Sequence, residues 1–241
     1  NDIMTVATLL SFLSGVAMFA SLLYIPLYQQ VVRGLSPTKS GLLMLPMVAG
    51  MFLASLISGK LITKTGKYRR FPIIGTLLLA TGLWLFSHLG LTTSYVIISM
   101  WMFVIGAGLG QLFQVPTLAV QNATARENMG TATSTVTFFR SIGGALGGAV
   151  FGSILISRLT HHLHEALPGD TAAKVTGGLS GGLEQLKHLP AGLRDNVLTA
   201  YVQSFHDMFL LAIPFALLAF LVALRLREAP LRDTHEPHLP E

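Results

Sequence analysis

The sequence YVIISMWMFVIGAGLGQLFQVPTLAV, residues 95–120, contains no Asp, Glu, Lys or Arg over 26 consecutive positions. An α-helix crosses the hydrocarbon core of a bilayer in about 20 residues, and it satisfies its own backbone hydrogen bonds there. We therefore predict that this stretch is a membrane-spanning helix.

Five further apolar stretches have the length of a membrane span. A transmembrane β-barrel would need many alternating segments of about ten residues, and the sequence does not contain them. The predicted fold class is therefore an all-α membrane protein, a six-transmembrane-helix bundle. The predicted spans are residues 5–27, 41–62, 71–89, 95–120, 131–156 and 204–224.

The composition of the whole chain favours the same class. Of its 241 residues, 51% are hydrophobic and 11% are charged, whereas soluble domains carry about a quarter charged residues. The absence of Cys excludes a disulfide framework and a Cys nucleophile. The sequence has no P-loop and marks no catalytic centre, so we predict no enzyme, no cofactor and no metal site. A net charge of +5 in so apolar a chain indicates membrane topology and anionic membrane lipid rather than nucleic acid.

Basic residues predict the orientation of the spans. The connection between the second and third spans carries no acidic residue, and its basic residues are Lys60, Lys64, Lys67, Arg69 and Arg70. The positive-inside rule places this connection in the cytoplasm. Alternation then places both termini there, in an integral protein of the bacterial cytoplasmic (inner) membrane. Arg33 and Lys39 fall on the outer side, which is a mild violation of the rule.

One long connection and one polar tail complete the predicted organisation. Residues 1–226 form the six-helix domain, with an external loop at 157–203, and residues 227–241 form a disordered cytoplasmic tail. The loop either is mobile with a helical start into the sixth span, or contains a surface helix whose apolar face would be Leu183, Leu186, Leu193 and Val197. Because the chain begins with Asn rather than Met, we expect an upstream part of a longer protein.

Glycines concentrate in the fourth and fifth predicted spans. Small residues at i, i+4 spacing let two helix backbones touch, which replaces the hydrophobic drive that lipid cannot supply. These glycines therefore predict close helix packing, and they are also candidates for a hinge or sliding surface. The set comprises Gly106, Gly108, Gly110, Gly143, Gly144, Gly147, Gly148 and Gly152.

Two ionisable side chains lie inside or at the edge of the predicted spans. An arginine at a helix centre costs about 2.5–3.5 kcal/mol, so Arg140 either faces the interior or reaches back to the headgroups. Asp207 begins the sixth span, as a wet interfacial residue or as a group that exchanges protons with the exterior. Phe113, Phe138 and Phe139 suit either packing against lipid or an apolar drug pocket.

The fourth span also carries amide side chains and a proline. Gln111, Gln114 and Gln121 lie near one helix face, which predicts a polar cavity wall or hydrogen bonds between helices. Pro116 frees a backbone carbonyl one turn earlier, near Leu112. A polar and broken face of this kind suits a cavity for amphipathic compounds.

The basic connection has a recognisable pattern, GKLITKTGKYRR at residues 59–70. A glycine at the end of the second span permits a close helix approach, and Gly66 permits a tight turn with positive φ. The basic residues signal topology or hold the loop at the headgroups. The stretch resembles the G-x-L-x-D-R-x-G-R-R/K loop of the major facilitator superfamily, in its second-half copy. Thr63 replaces the family's acid, which helps to latch the cytoplasmic side, and the matching positions are Gly59, Leu61, Lys64, Gly66 and Lys67.

Two longer stretches resemble one subfamily. Residues 28–46, YQQVVRGLSPTKSGLLMLP, are similar to the first external loop in the C-terminal half of fourteen-span drug:proton antiporters, the EmrB/QacA subfamily. Residues 130–148, which include RSIGGALGG, resemble its penultimate span. The resemblance covers about residues 5–225.

This resemblance implies the C-terminal half of a proton-coupled multidrug efflux transporter, which exports lipophilic or cationic compounds by alternating access. Its partners would be those compounds, protons, membrane lipid and the N-terminal half of the same protein. The predicted wall of the substrate cavity in this half is Arg140, Gln111, Gln114 and Phe113.

Two other functions are compatible with the sequence. A half-length protein would transport as a homodimer. A stop codon just upstream of Asn1 would favour the homodimer, whereas eight further hydrophobic spans encoded upstream would favour the fourteen-span family. A membrane assembly subunit or enzyme would act through the external loop, and activity or partner binding by that loop alone would favour it.

Overall fold

The structure is a computed structural model, and it describes residues 2–167 and 190–230. Six helices in these two ranges are long and apolar enough to cross a membrane, so the predicted all-α, six-span fold is confirmed. The helices are α1 (Asp2–Val31), α2 (Pro37–Leu42), α3 (Leu45–Thr65), α4 (Arg70–Ser87), α5 (Tyr95–Ala123), α6 (Met129–Ala166) and α7 (Ala191–Leu224).

The second predicted span is divided in the structure into α2 and α3. Ser36 caps α2, because its hydroxyl accepts a hydrogen bond from the backbone N–H of Lys39 at 3.3 Å. The break at Leu43 and Met44 precedes Pro46, which has no N–H to donate to the preceding turn. Helices α2 and α3 are therefore separate and do not form one continuous helix.

Helices extend into the predicted external loop at 157–203 from both sides. Helix α6 continues to Ala166, and α7 begins at Ala191. The apolar stripe of α6 continues beyond the predicted span, because Leu155, Leu159 and Leu163 recur every four residues and are buried. Val197 extends the buried face of α7 in the same way. Two positions of the predicted surface helix, 183 and 186, lie outside the described residues.

The six long helices form two layers. The front layer has the order α6, α1, α5, α3, and the back layer consists of α7 and α4. Helix α7 packs behind α1 and α6, while α4 packs behind α5. Helix α3 packs mainly against α5, and it therefore exposes large apolar side chains such as Phe52 and Ile57, which are 63% and 57% exposed.

Successive long helices run in opposite directions. One end of the bundle carries Lys60, Lys64, Lys67, Arg69 and Arg70, and we call it the basic end. The opposite end carries the connection between α4 and α5, residues 88–94. There the hydroxyl of Tyr28 donates a hydrogen bond to the carbonyl of Gly90 at 2.7 Å, which joins α1 to this connection.

Glycines bring helix backbones into contact at the front-layer interfaces. A Cβ atom at Gly143 would collide with the carbonyl oxygen of Phe12, and one at Gly147 would lie 2.6 Å from that of Val16. Between α3 and α5, Gly106 and Gly110 meet the backbone of α3 in the same manner. The helix backbones are therefore in close contact at these positions. Gly144 and Gly148 differ, because they face the side chains of Phe19 and Leu23 rather than backbone.

Glycines also allow close contact between α4 of the back layer and α5 of the front layer. A Cβ atom at Gly108 would lie 2.7 Å from the carbonyl oxygen of Gly75, and one at Gly82 would collide with the side chain of Ile105. Gly75 and Gly82 are seven residues apart, which places them on one face of α4. This spacing is the sequence signal that identifies the α4–α5 contact.

Candidate functional site

The side chain of Arg140 is anchored on α5, next to Phe113. Its Nη2 donates a hydrogen bond to the carbonyl oxygen of Phe113 at 3.1 Å, and its Cζ lies 4.5 Å from the centroid of the Phe113 ring. Both residues are roughly ten residues from the basic end, or about 15 Å along the helix axis. The guanidinium therefore faces a neighbouring helix and does not extend to the basic end.

The carbonyl of Phe113, which accepts this bond, neighbours the Leu112 carbonyl that Pro116 leaves without its helical donor. It also accepts a hydrogen bond from the hydroxyl of Thr117, at 3.3 Å. Pro116 lacks the N–H that would bond one turn back, and its ring crowds the preceding turn. Arg140 and Thr117 thus supply side-chain donors where the helical ladder is weakened. The Nε of Arg140 is buried and has no hydrogen-bond partner among the described residues.

Gln114 faces α3 and lines a cavity at the α3–α5 interface. Its Oε1 accepts a hydrogen bond from the hydroxyl of Ser58 at 3.4 Å. A Cβ atom at Gly59 would lie 3.0 Å from its Nε2, so the glycine permits the close approach that the sequence predicts. The cavity measures about 510 Å³, and Lys60 and Lys64 extend its lining toward the basic end.

The other two glutamines face different neighbours. Gln111 is only 8% exposed, and its Cβ lies against Gly75 of α4 in the back layer. Its Oε1 has no hydrogen-bond partner in the described ranges. Gln121 donates a hydrogen bond to the hydroxyl of Thr133 on α6, at 3.1 Å. The structure therefore brings Arg140 and Phe113 together and separates Gln111 from Gln114.

Asp207 belongs to a charged cluster at the opposite end of the bundle. Its Oδ2 lies 3.0 Å from the Nε2 of His162 and 3.7 Å from the Nε of Arg158, both on α6. The Nδ1 of His162 lies 3.4 Å from a carboxylate oxygen of Glu165. Asp207 is half-buried, and the neighbouring His206 contacts the carbonyl of Ser87. The sequence does not predict the contact between His162 and Asp207, because the two residues are 45 positions apart.

The basic loop adopts the turn that its glycine predicts. Gly66 has φ 71° and ψ 0°, the left-handed conformation, and its N–H donates to the carbonyl of Ile62 at 2.8 Å. Thr63, at the position of the family's acid, donates a hydrogen bond within its own helix to Gly59 at 3.0 Å. Leu61, Lys64 and Lys67 are exposed.

The residues after α7 fasten this loop, which the sequence did not predict. The hydroxyl of Tyr68 donates to the carbonyl of Arg227 and accepts from the N–H of Ala229, both at 3.0 Å. The amide of Asn122, at the end of α5, donates to the carbonyl of Pro230 at 2.9 Å. We call residues 225–230 the C-terminal strap. Residues 227–230 of the predicted tail thus make tertiary hydrogen bonds, and residues 231–241 lie outside the described part.

The strap buries the side chain of Tyr68 completely. Burial raises the pKa of its hydroxyl above the ordinary value of 10.0, and the carboxylate of Glu228 raises it further, whereas the hydrogen bond from Ala229 opposes both. Because the neutral phenol both donates and accepts a hydrogen bond, it is the form that the strap requires.

The chain matches one protein family and a set of longer transporters. The family model described as Major Facilitator Superfamily matches residues 3–148. An uncharacterized MFS-type transporter of Mycobacterium tuberculosis is 38% identical over 236 residues, which cover 98% of this chain and 34% of that protein. Multidrug transporter protein MdtP of Bacillus subtilis is 31% identical over 234 residues, covering 87% of this chain and 43% of that protein. Efflux pump mokI of Monascus pilosus is 31% identical over 214 residues, with 89% and 39% covered.

Solved structures share the fold at low sequence identity. The E. coli fucose:proton symporter FucP is 20% identical with a TM-score of 0.68, over 95% of this chain and 50% of that one. A bacterial homologue of the human lysosomal transporter Spinster is 14% identical with a TM-score of 0.76, over 98% and 51%. The chain thus spans about half of these structures and less than half of the relatives above.

Proposed function

This chain belongs to the major facilitator superfamily, and from that membership we propose that it is the C-terminal half of a secondary active multidrug efflux transporter. The transporter would export lipophilic or cationic compounds by alternating access. One observation carries the proposal: a protein named as a multidrug transporter aligns with 87% of this chain at 31% identity. Only 43% of that protein aligns with this chain. The remainder is long enough to form a companion half.

In this proposal the front layer faces the companion half. Helix α3 packs mainly on α5, and α6 exposes Phe138 and Ile156, which are 60% and 67% exposed. A second half placed against α3 and α6 would bury these apolar side chains. The substrate would then lie between the halves, against the middle of the front layer.

The wall that this half contributes would be made by Phe113, Gln114 and Arg140. Phe113 offers an aromatic face, and Gln114 offers amide groups beside the cavity at the α3–α5 interface. Arg140 holds the part of α5 that presents them, through its bond to the Phe113 carbonyl. An aromatic face beside polar side chains suits amphipathic compounds.

The movement of alternating access would use the glycine interfaces. Backbone surfaces in contact, as at Gly143 and Gly106, have no interdigitating side chains that resist sliding. We propose that α1–α6 and α3–α5 are the contacts that shift when the two halves rock against each other.

Proton coupling would involve Asp207 as the group of this half that exchanges protons with the exterior. Its carboxylate lies at the end opposite the basic loop, beside His162. The further coupling carboxylates would belong to the companion half, as the resemblance to drug:proton antiporters implies. In this orientation the basic end and both termini face the cytoplasm of a bacterial cell.

The orientation has a direct test, because the chain contains no native cysteine. Lys67→Cys at the basic end and Thr92→Cys at the opposite end form a matched pair of exposed positions. In intact cells, an impermeant thiol reagent should label T92C and should reach K67C only after the cells are opened. Labelling of K67C in intact cells would reverse the orientation.

The transport function is tested with the native protein that contains this chain. We expect its expression in a pump-deficient bacterium to lower the accumulation of a lipophilic cation such as ethidium. A protonophore should restore accumulation, since it removes the proton gradient without touching the protein. Unchanged accumulation across a panel of lipophilic cations and neutral lipophiles would contradict the proposal. Export that continues in the presence of the protonophore would contradict proton coupling but not the efflux function.

A further inference from the structure

A cleft opens at the basic end, at the border between the apolar helices and the surface. It measures about 600 Å³ and lies between the start of α1, the loop before α4 and the end of α7. Its charged lining consists of Arg69, Arg225, Arg227 and Asp2, and its apolar lining includes Val6 and Leu224. The cleft is distinct from the cavity beside Gln114.

The charges of the cleft favour an anion. Three guanidinium groups face one carboxylate, so two positive charges remain unbalanced. Nη1 of Arg227 pairs with the Asp2 carboxylate at 3.1 Å, and Nη2 of Arg69 donates to the carbonyl of Leu224 at 2.7 Å. The guanidinium of Arg225 makes no hydrogen bond or ion pair with any residue that the structure describes. Guanidinium groups bind phosphate oxygens in a bidentate manner, and each has donors in addition to those used here.

An apolar track leads away from the cleft along α7. Leu217, Leu221 and Leu224 are spaced by four and three residues, so they share one face of the helix. All three are exposed, and Leu224 also lines the cleft. A phosphate placed among the arginines would therefore continue into acyl chains lying on these leucines.

We propose that this cleft binds the headgroup of an anionic phospholipid, with the acyl chains on the Leu217–Leu224 face of α7. The arginines alone would suit a free phosphate equally well, but the leucine track suits only a ligand with hydrocarbon chains. This proposal depends on the proposed function in one respect, the membrane leaflet that supplies the lipid. In the proposed orientation that leaflet is the cytoplasmic one. Drug export and lipid binding are measured separately, so either can fail alone.

The experiment is a titration of the purified native protein in detergent, followed by native mass spectrometry. We expect retention of phosphatidylglycerol in preference to phosphatidylcholine of the same acyl chains. Arg225→Ala should weaken phosphatidylglycerol binding about fivefold, and the Arg225→Ala, Arg227→Ala pair should weaken it about 25-fold. Asp2→Asn should tighten binding, because it removes the competing carboxylate.

Arg194→Ala is the matched control, since it removes an exposed arginine from the opposite end of the same helix. Its binding should equal that of the wild type, and the thermal unfolding midpoints of all the variants should agree within a few degrees. Equal retention of both lipids, or equal binding by the double variant and the control, would overturn the proposal. Displacement of phosphatidylglycerol by millimolar inorganic phosphate would contradict a lipid ligand and would indicate a free anion instead.

Discussion

Tyr68 and Arg227 are separated by 159 residues in the chain and joined by a hydrogen bond of 3.0 Å between the phenol and the backbone carbonyl. The contact fastens the residues after α7 to the loop between α3 and α4. In the resembling family, an acid in this loop helps to latch the cytoplasmic side, and here Thr63 holds that position and bonds only within its helix. The basic end of this bundle is thus stabilised by a phenol and a backbone strap.

The first prediction concerns this strap. Tyr68→Phe keeps the ring but leaves the Arg227 carbonyl and the Ala229 N–H without their partner. Two partly buried backbone groups each lose a hydrogen bond worth about 0.5–1.5 kcal/mol, so we expect destabilisation of about 1–3 kcal/mol in total. Limited proteolysis should cleave the strap faster. Tyr95→Phe is the control, since its hydroxyl bonds the Leu43 carbonyl at the opposite end. Equal cleavage of the strap in both variants would contradict the role of Tyr68.

The second prediction concerns the pH dependence of the same contact. Burial raises the pKa of Tyr68 in the folded state above the ordinary value of 10.0. The unfolded state then releases its proton first, and the stabilisation is full below about pH 10 and is lost as pH rises through the folded pKa. The stability difference between wild type and Y68F should therefore be constant from pH 7 to 9 and shrink at higher pH. A difference that grows with alkaline pH would contradict the sign.

The fold was largely predictable because its signals are local. Length and apolarity identify each span, and Gly66 identifies its own turn. The glycines of α5 and α6 also predicted their interfaces, since a residue without a side chain on a lipid-embedded helix indicates backbone contact. The boundary at 157 failed for a related reason: the predicted span ended where charged residues began, although Leu159 and Leu163 continue the buried stripe.

The site was less predictable, because it depends on which helices become neighbours. Gln111 and Gln114 differ by only about 60° around α5, which is enough for one to face α4 and the other α3. The sequence leaves Arg140 either facing the interior or reaching back to the headgroups, because its partner, the carbonyl of Phe113, is a tertiary contact. The bond between Tyr68 and Arg227 has no local sequence signal at all.

The third prediction tests the backbone contact of α1 with α6. Gly143→Ala adds a methyl group against the carbonyl oxygen of Phe12, and backbone on both sides leaves no flexible atom to move. We expect destabilisation of about 1–3 kcal/mol in detergent unfolding assays. Gly130→Ala is the control within the same helix, because nothing lies within 4 Å of an added Cβ there. The control should be neutral or more stable by up to about 1 kcal/mol. Equal stability of the two variants would contradict the close packing.

The fourth prediction concerns Arg140 in the native protein. Arg140→Ala removes both the bond to the Phe113 carbonyl and the contact with its ring, so efflux should fall severalfold while membrane insertion is retained. Arg140→Lys keeps the charge but not the planar fork, and we expect an intermediate rate. Arg126→Ala removes an exposed arginine near the start of the same helix, and it should export normally. Wild-type resistance of R140A at normal expression would defeat the proposed role.

The last prediction separates a proton-exchanging Asp207 from a merely structural one. Asp207→Asn keeps the size of the side chain but cannot ionise, so a proton-exchanging role requires that the pH dependence of export flattens. His162→Gln retains the carboxylate, so the pH dependence of export should persist. Asp195→Asn, an exposed site on the same helix, serves as the control. If Asp207 only pairs with Arg158 and His162, D207N will lower the unfolding temperature and leave the shape of the pH profile unchanged, because no transported proton then passes through it.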